Sequence, residues 1–285
     1  MRSNSIEVKP IAGALGAELH GIDLANLTDD DFADVHDAFL AHQVIFFREQ
    51  TLTPVEQIGF AKRFGDIHLH PYMKGLPDHP EILEIVKREE DTKNFGGGWH
   101  TDQAFSPRPA LCTLLYAKET PTFGGDTMFT NMYAAYEALS DTMKSVLAPL
   151  KGLFLGDRAA AAGGQSRKEK YLAQGGIMQP KDPGADEGTQ AEHPLVRTHP
   201  ETGRKSLFLS SHTAKIVGMT DDESAPILSF LRQHAVRPEF TCRFRWEPGS
   251  FAIWDDRCTQ HFAINDYNGQ RRRMHRITIR GDVPV

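Results

Sequence analysis

The sequence predicts a mainly β domain, organised as a sandwich or barrel and preceded by two helices. From residue 82 onward, short β-prone segments alternate with turns rich in glycine and proline, a texture typical of such folds. Two amphipathic segments with helix-capping signals lie before them. The chain has 285 residues, of which 40% are hydrophobic. It can therefore bury a large core, and residues 1–285 are predicted to form a single domain.

The first third of the chain predicts two helices around one strand. A threonine followed by three aspartates and an apolar periodicity predicts a helix over residues 28–42. The apolar run at residues 44–47 is a candidate for a buried strand. An N-cap threonine, a first-turn proline and a capping-box glutamate then predict a second helix over residues 53–65, which ends at a glycine.

The rest of the chain predicts strands, one long loop and one more helix. Residues 156–192 contain few large apolar side chains, which indicates a mobile lid or insertion. The turn Pro200-Glu201-Thr202-Gly203 predicts a hairpin, and the apolar spacing over residues 221–234 predicts a helix. The predicted strands cover residues 82–86, 111–117, 127–129, 151–155, 196–199, 205–209, 240–246, 250–254 and 273–281.

Charge and cysteine usage exclude several classes of protein. The 32 basic and 38 acidic residues give a net charge of −6, which argues against a general affinity for nucleic acid or an anionic membrane. An apolar run of about 20 residues and a signal-peptide core are both missing, so we expect a cytoplasmic protein. Cys112, Cys242 and Cys258 form no C-x-x-C pair, which argues against a disulfide framework or a thiolate zinc site. Any metal would therefore use nitrogen and oxygen ligands.

The sharpest local motif is Gly96-Gly97-Gly98-Trp99-His100-Thr101-Asp102. In an extended segment, residues two apart face the same side and lie about 6.6 Å apart, so His100 and Asp102 can converge on one ion. The glycines would let the backbone bend and leave room beside the site. By itself the H-x-D pair is also compatible with a surface histidine near an aspartate.

Two segments near the C-terminus add candidates. His261 follows an apolar strand and the polar turn Asp255-Asp256-Arg257, and it is a plausible third ligand or an ordinary hydrogen-bonded histidine. If the segment over residues 270–280 is a strand, Arg272 and Arg276 share one face about 13 Å apart, which suits two different anions. A guanidinium facing inward must be paired, and a ligand carboxylate is a natural partner. The alternative is an exposed basic strand or a nucleic-acid patch.

Together these motifs closely resemble the TauD/TfdA family of Fe(II)- and 2-oxoglutarate-dependent dioxygenases. Two histidines and one carboxylate make the facial triad typical of non-haem Fe(II) oxygenases. The resemblance covers about residues 11–284. It is carried by the H-x-D pair, the segment WDDRCTQH, Arg272 eleven residues after its final histidine, and the segments GGDT and AAYEAL.

The resemblance implies a fold, a reaction and roles for single residues. The fold would be a double-stranded β-helix, a jelly roll with helices packed outside. O2-dependent decarboxylation of 2-oxoglutarate to succinate and CO2 would be coupled to hydroxylation of a substrate C–H bond. His100, Asp102 and His261 would bind Fe(II). Thr127 and Arg272 would bind 2-oxoglutarate, while Thr127 could also be an ordinary turn residue.

The substrate is expected to be a small organic anion, a carboxylate, sulfonate or sulfate ester. Arg276 matches the family position that holds the substrate's anionic group, although it could instead pair with a local acid such as Asp266. His70 stands where taurine-type members place a histidine against the sulfonate, and its neighbour His68 is an alternative. Gly96 and the segment Ser210-Ser211-His212-Thr213 depart from the taurine enzymes, which argues against taurine itself.

We also expect a homo-oligomer, a dimer or tetramer.

Two other functions are compatible with parts of the pattern. A jelly-roll zinc hydrolase or isomerase could use the same triad, but it has no obvious use for Arg272. A non-catalytic anion-binding module would have no need of an intact triad.

Overall fold

A computed structural model describes residues 6–161, 163–166, 168, 169, 172, 180, 181 and 188–285. The protein is mainly β with several helices, as predicted. The strands are β1 Glu7–Pro10, β2 Ala17–His20, β3 Val44–Phe47, β4 Leu83–Lys87, β5 Ala110–Glu119, β6 Thr127–Asn131, β7 Lys151–Leu155, β8 Gln190–Pro194, β9 Val196–Thr198, β10 Lys205–Leu207, β11 Thr213–Ile216, β12 Thr241–Phe244, β13 Phe251–Asp255, β14 Thr259–Ala263 and β15 Arg272–Arg280. The helices are α1 Asp29–His42, α2 Pro54–Ala61, α3 Met132–Glu137, α4 Asp141–Leu147, α5 Arg158–Ala161 and α6 Asp221–Ala235, with a 3-10 turn at Pro238–Phe240.

Two sheets form the centre of the molecule. The larger sheet has seven strands in the order β1-β2-β3-β13-β5-β15-β4, and the smaller one has the order β12-β6-β14. They pack face to face through an apolar cluster in which Phe46 of the larger sheet stacks on Phe244 of the smaller, with ring centroids 4.0 Å apart. The other face of the larger sheet is covered by α1 and α2. Further sheets have the orders β11-β7-β8 and β10-β9.

The strand alternation of β15 decides which side chains reach the space between the sheets. Met274 belongs to the cluster between the sheets, whereas Ile277 and Ile279 pack against the helices. Because successive side chains alternate, Arg272 and Arg276 share the inner face with Met274. Both arginines are buried. The predicted inward placement of this pair is therefore confirmed.

The capping predictions for the first two helices are confirmed. Thr28 and Asp31 form a capping box at α1, and Thr53 and Glu56 form one at α2. Helix α2 is shorter than predicted, because it ends at Ala61. The chain then continues to Gly65 through turns whose backbone hydrogen bonds join residues three apart.

Several elements were missed, among them β1 and β14. Strand β1 is an exposed edge strand of four residues, in which Val8 and Pro10 alternate with charged residues over too short a length to identify a strand. Strand β14 begins in the polar stretch in which only His261 had been singled out. Much of the proposed lid at 156–192 lies outside the described residues. Within the described part, α5 is helical and residues 190–192 belong to β8, so the prediction of a continuous loop was wrong there.

In the part of the chain that the structure describes, no helix is both long and apolar enough to cross a membrane. Cytoplasmic localisation, the single domain and the homo-oligomer stay predictions.

Candidate metal and cosubstrate site

The H-x-D segment is held in place by strand β14. His100 and His261 exchange two backbone hydrogen bonds, N to O at 3.1 Å and 2.9 Å, which form an isolated antiparallel bridge. This places the two imidazole rings side by side, with centroids 4.2 Å apart. The segment is not a regular strand as the spacing argument assumed, because the chain turns immediately after His100. Gly96 has φ +81°, a left-handed backbone conformation that glycine adopts without strain, and this lets the chain turn next to the His100 ring.

His100, Asp102 and His261 come together as one cluster. One potential ligand atom from each lies within 4.8 Å of the others. The Nε2 atom of His100 is 3.6 Å from Asp102 Oδ1, and the Nε2 atom of His261 is 3.9 Å from Asp102 Oδ2. Two imidazole nitrogens and one carboxylate oxygen make a donor set suited to a divalent first-row metal with open coordination positions.

The protonation states of these three side chains favour the binding of a metal cation. His100 Nδ1 lies 2.8 Å from the carbonyl oxygen of Gly98, which assigns its proton to Nδ1 and leaves the Nε2 lone pair facing Asp102. Burial, together with the neighbouring His100 and Arg276, holds the pKa of His261 well below its usual value, so this imidazole is neutral. Burial raises the pKa of Asp102, but the charge of Arg276, the adjacent His261 and His100 and a hydrogen bond from Thr113 outweigh burial and hold it well below its usual value, so Asp102 is ionised.

A second carboxyl lies behind Asp102. Asp256 is fully buried and accepts hydrogen bonds from the Asp102 backbone at 3.1 Å and the Trp254 indole at 3.3 Å. Burial and the charge of Asp102 raise the pKa of Asp256 well above its usual range, so it carries a proton. The Thr113 hydroxyl lies 2.8 Å from Asp102 and 2.9 Å from Asp256. Because the hydroxyl has one proton, Asp256 donates to Thr113 and Thr113 donates to Asp102.

Arg276 lies directly against the cluster. Its Nη2 is 2.9 Å from Asp102 Oδ2, and both side chains are buried. The alternative partner suggested from the sequence, Asp266, instead accepts from the Gly125 backbone and lies 3.6 Å from Arg243. Arg276 therefore has an acidic partner, but it is the predicted metal ligand.

Arg272 and Thr127 line an inner cavity next to the cluster, together with His100, His261 and Trp254. In the described structure, Nε and Nη2 of Arg272 have no hydrogen-bond acceptor, although Tyr267 bonds to this side chain. Burial lowers the pKa of Arg272, and Tyr267 partly offsets this. The Trp246 indole donates to the Thr127 hydroxyl at 2.9 Å, which leaves the hydroxyl proton available for another acceptor.

A larger cavity of about 270 Å³ adjoins the inner one and shares His100 and Arg276 with it. Arg276 and His70 both line it, and the Tyr72 backbone donates to His70 Nδ1 at 3.2 Å. The alternative candidate, His68, is buried and is not among the lining residues. Gln103 also lines the cavity, with a left-handed backbone at φ 51° and only 4% exposure. Among the described residues, neither polar atom of its carboxamide has a hydrogen-bond partner.

A second cluster with metal-binding residue types has a different character. His199, Asp255 and Cys258 also bring their ligand atoms within 4.8 Å. However, Asp255 already accepts hydrogen bonds from His199 and three from Arg257, one of them from its backbone. Burial also raises the pKa of the Cys258 thiol well above its usual value, so it is protonated. This cluster is a salt-bridged support for the turn between β13 and β14, and it has no ligand atoms to offer.

Comparisons with known proteins define the class of this site. Residues 7–278 match the model of the family described as "Taurine catabolism dioxygenase TauD, TfdA family". The alpha-ketoglutarate-dependent sulfate ester dioxygenase of Pseudomonas putida is 33% identical over 291 residues, which cover 98% of this chain and 91% of that protein. Alpha-ketoglutarate is 2-oxoglutarate under another name.

Solved structures agree over nearly the whole chain. A taurine dioxygenase from Burkholderia xenovorans superposes with a TM-score of 0.81 and 36% identity, covering 99% of this chain and 93% of that one. The structure of AAD-2 in complex with Mn(II) and N-oxalylglycine gives a TM-score of 0.78 and 29% identity, covering 99% of both chains. The chain belongs to the TauD/TfdA family and is an alpha-ketoglutarate-dependent dioxygenase.

The structure thus brings together all seven residues singled out from the sequence, on the walls of two adjoining cavities. It also adds Thr113, Asp256 and Gln103, which sequence reasoning missed. Asp256 lies inside the segment WDDRCTQH and Gln103 directly follows Asp102, so their place in these motifs was a usable signal. Thr113 gave none, because it is one threonine inside a buried strand.

Proposed function

We propose that the chain hydroxylates a C–H bond of a small organic anion while 2-oxoglutarate is decarboxylated to succinate and CO2. This proposal rests on the residues that line the inner cavity. His100, His261 and Arg272 all line it, and Asp102 lies 3.6 Å from His100 and 3.9 Å from His261. Arg272 is a buried guanidinium whose Nε and Nη2 have no acceptor among the described residues. A hydrolase has no evident use for such a cation. We also infer a double-stranded β-helix from the family and the two facing sheets.

The ligands proposed for Fe(II) are His100, Asp102 and His261. The donor set of two nitrogens and one oxygen fits this ion. Hydrogen bonds to the ligands hold their side chains in a fixed orientation, from His100 to the Gly98 carbonyl and from Thr113 to Asp102. Fe(II) bound here would supply the redox chemistry with O2. The protein's own contribution is to keep His261 uncharged and Asp102 ionised, so that all three donors are available.

Arg272 and Thr127 are proposed to bind the carboxylate of 2-oxoglutarate that lies away from the metal. Arg272 offers charged N–H donors, and Thr127 has a hydroxyl proton to donate because its oxygen already accepts from Trp246. Both residues are buried, so water competes little for these bonds.

Arg276 and His70 are proposed to bind the substrate's anionic group in the larger cavity. A guanidinium has five N–H donors, so Arg276 can contact Asp102 with one and a substrate anion with others. The unpaired carboxamide of Gln103 lies on the same cavity and adds a donor and an acceptor. These groups favour a substrate with a second polar function besides its carboxylate, sulfonate or sulfate ester.

The first experiment separates the dioxygenase from the zinc enzyme considered above. Anaerobic addition of Fe(II) and 2-oxoglutarate should produce the visible metal-to-ligand charge-transfer band expected of this family. His79→Ala, outside the cavity lining, should keep the band, whereas His261→Ala should lose it. A protein that gives no band and retains zinc would refute the proposal.

The second experiment addresses the substrate. Carboxylates, sulfonates and sulfate esters are tested for succinate release that depends on the added compound. Release driven by an uncharged analogue as efficiently as by the anion would contradict the proposed role of Arg276.

A further inference from the structure

A buried lysine lies beside Arg272 and has no role in the site as described so far. Lys87 is the last residue of β4, and the antiparallel register of β4 and β15 places it directly opposite Arg272. Directly opposed residues project from the same face, with Cβ atoms about 4.5–5.5 Å apart. Two residues earlier on β4, and therefore on the same face, Ile85 lines the inner cavity. Lys87 thus projects between the two sheets, towards the cavity side of Arg272.

Among the described residues, the ammonium group of Lys87 has no hydrogen-bond or salt-bridge partner. Lys87 is 3% exposed. Its Nζ lies 4.4 Å from the centroid of the Tyr267 ring. The charge of Lys87 also acts on Asp91, which forms its own salt bridge with Arg88. A cation over an aromatic ring recovers only a small part of the hydration that a buried ammonium loses.

Arg272, which lies opposite Lys87, also has no carboxylate partner among the described residues. No carboxylate among the described residues lies within ion-pair distance of Lys87 or of Arg272, since neither takes part in any salt bridge there. Tyr267 contacts both, through its ring face to Lys87 and through its side-chain hydrogen bond to Arg272. Two buried cations joined by one tyrosine, with N–H donors left over on both, form a site for an anion.

We propose that Lys87 is a second cationic residue for the distal carboxylate of 2-oxoglutarate, acting with Arg272 and Thr127. This inference rests on the proposed use of the inner cavity by 2-oxoglutarate. Two cations and a hydroxyl around one carboxylate select 2-oxo acids with a second negative charge at the far end. A 2-oxo acid that ends in a methyl group would leave both cations buried and unpaired.

The test compares two ligands that differ only at that end. Fe(II)-loaded protein is titrated under anaerobic conditions with 2-oxoglutarate and with 2-oxopentanoate, which carries a methyl group in place of the distal carboxylate. The charge-transfer band gives each Kd, and calorimetry with Mn(II) gives the same constants without turnover. Lys87→Met keeps the volume of the side-chain stem and removes the charge.

We expect Lys87→Met to weaken 2-oxoglutarate about 10- to 100-fold, the loss typical of a buried charged hydrogen bond. Its affinity for 2-oxopentanoate should change by less than about twofold, because that ligand never contacts Nζ. Lys118→Met is the matched control, since Lys118 also lies over a tyrosine ring, 4.6 Å from the centroid of Tyr116, but is not paired with Arg272 across the sheet. Its 2-oxoglutarate affinity should equal that of the unmodified protein.

Two results would overturn the inference while leaving the proposed function intact. Equal weakening of both oxo acids would mean that Lys87 only supports the fold, and no weakening of either would mean that it does not reach the ligand. A thermal melt checks that Lys87→Met is folded, and removing an unpaired buried charge should not lower the melting temperature. If the unmodified protein binds neither oxo acid, the proposed function is wrong, and this inference fails with it.

Discussion

Replacing Asp255 with asparagine should destabilise the protein far more than breaking a surface ion pair. Asp255 and its partner Arg257 are each 1% exposed. The carboxylate accepts hydrogen bonds from Arg257 at 2.7 Å and 2.8 Å from the side chain and 2.9 Å from the backbone, and from His199 at 2.9 Å. Asparagine keeps the volume but presents an N–H group to donors, and it leaves Arg257 without its main counter-charge.

The expected magnitude follows from this burial. Removing one partner of a buried ion pair costs about 3–5 kcal/mol, because the other charge remains desolvated. The free energy of unfolding of a domain is about 5–15 kcal/mol. Asp255→Asn should therefore remove a large share of the stability. The turn after Asp255 leads directly into β14, so the position of His261 should also become less fixed.

Urea unfolding followed by circular dichroism measures the effect as a lower midpoint with an unchanged slope. Arg243→Gln is the control, because Arg243 pairs with Asp126 at 2.6 Å but its side chain is 53% exposed. Screening by water limits that pair to less than about 1 kcal/mol. An Asp255→Asn variant that costs no more than Arg243→Gln would refute the reasoning.

The difference between the unmodified protein and Asp255→Asn should depend on pH with a defined sign. Burial raises the pKa of Asp255, but the charge and hydrogen bonds of Arg257 and the bond from His199 lower it further, to below its usual range. A carboxyl with a depressed folded-state pKa stabilises fully above its unfolded pKa of about 3.9. Its contribution is lost as pH falls towards the folded value. The stability difference should be constant above about pH 5 and shrink in strong acid.

The remaining predictions concern the site. His100→Ala or Asp102→Ala should abolish Fe(II) binding and succinate formation, and retained turnover would contradict the ligand assignment. Arg276→Ala should raise the substrate KM far more than the 2-oxoglutarate KM, and equal effects on both would contradict its role as the substrate anchor. Thr127→Val should weaken 2-oxoglutarate binding about 3- to 10-fold, the net loss of roughly one hydrogen bond. An unchanged Kd in an anaerobic titration would make Thr127 an ordinary strand residue.

Sequence reasoning succeeded where the signal lies within a few residues. The caps of α1 and α2 were predictable because a capping box spans only four residues. The shared face of Arg272 and Arg276 was predictable because side chains alternate along a strand. Strand β1 was not predicted, since an exposed edge strand of four residues is too short for its alternation to distinguish it from a loop.

By itself, the sequence determined the residue types of the site, the short-range spacing that lets His100 and Asp102 converge, and the family to which the motifs belong. Only the tertiary structure decided that Arg276 lies against Asp102, that Thr113 links two carboxyls, and that Lys87 is opposite Arg272. The physical reason is that these contacts depend on the register between strands far apart in the chain. A shift of one residue in that register would turn each side chain to the other face of the sheet, and no local pattern specifies which strands pair.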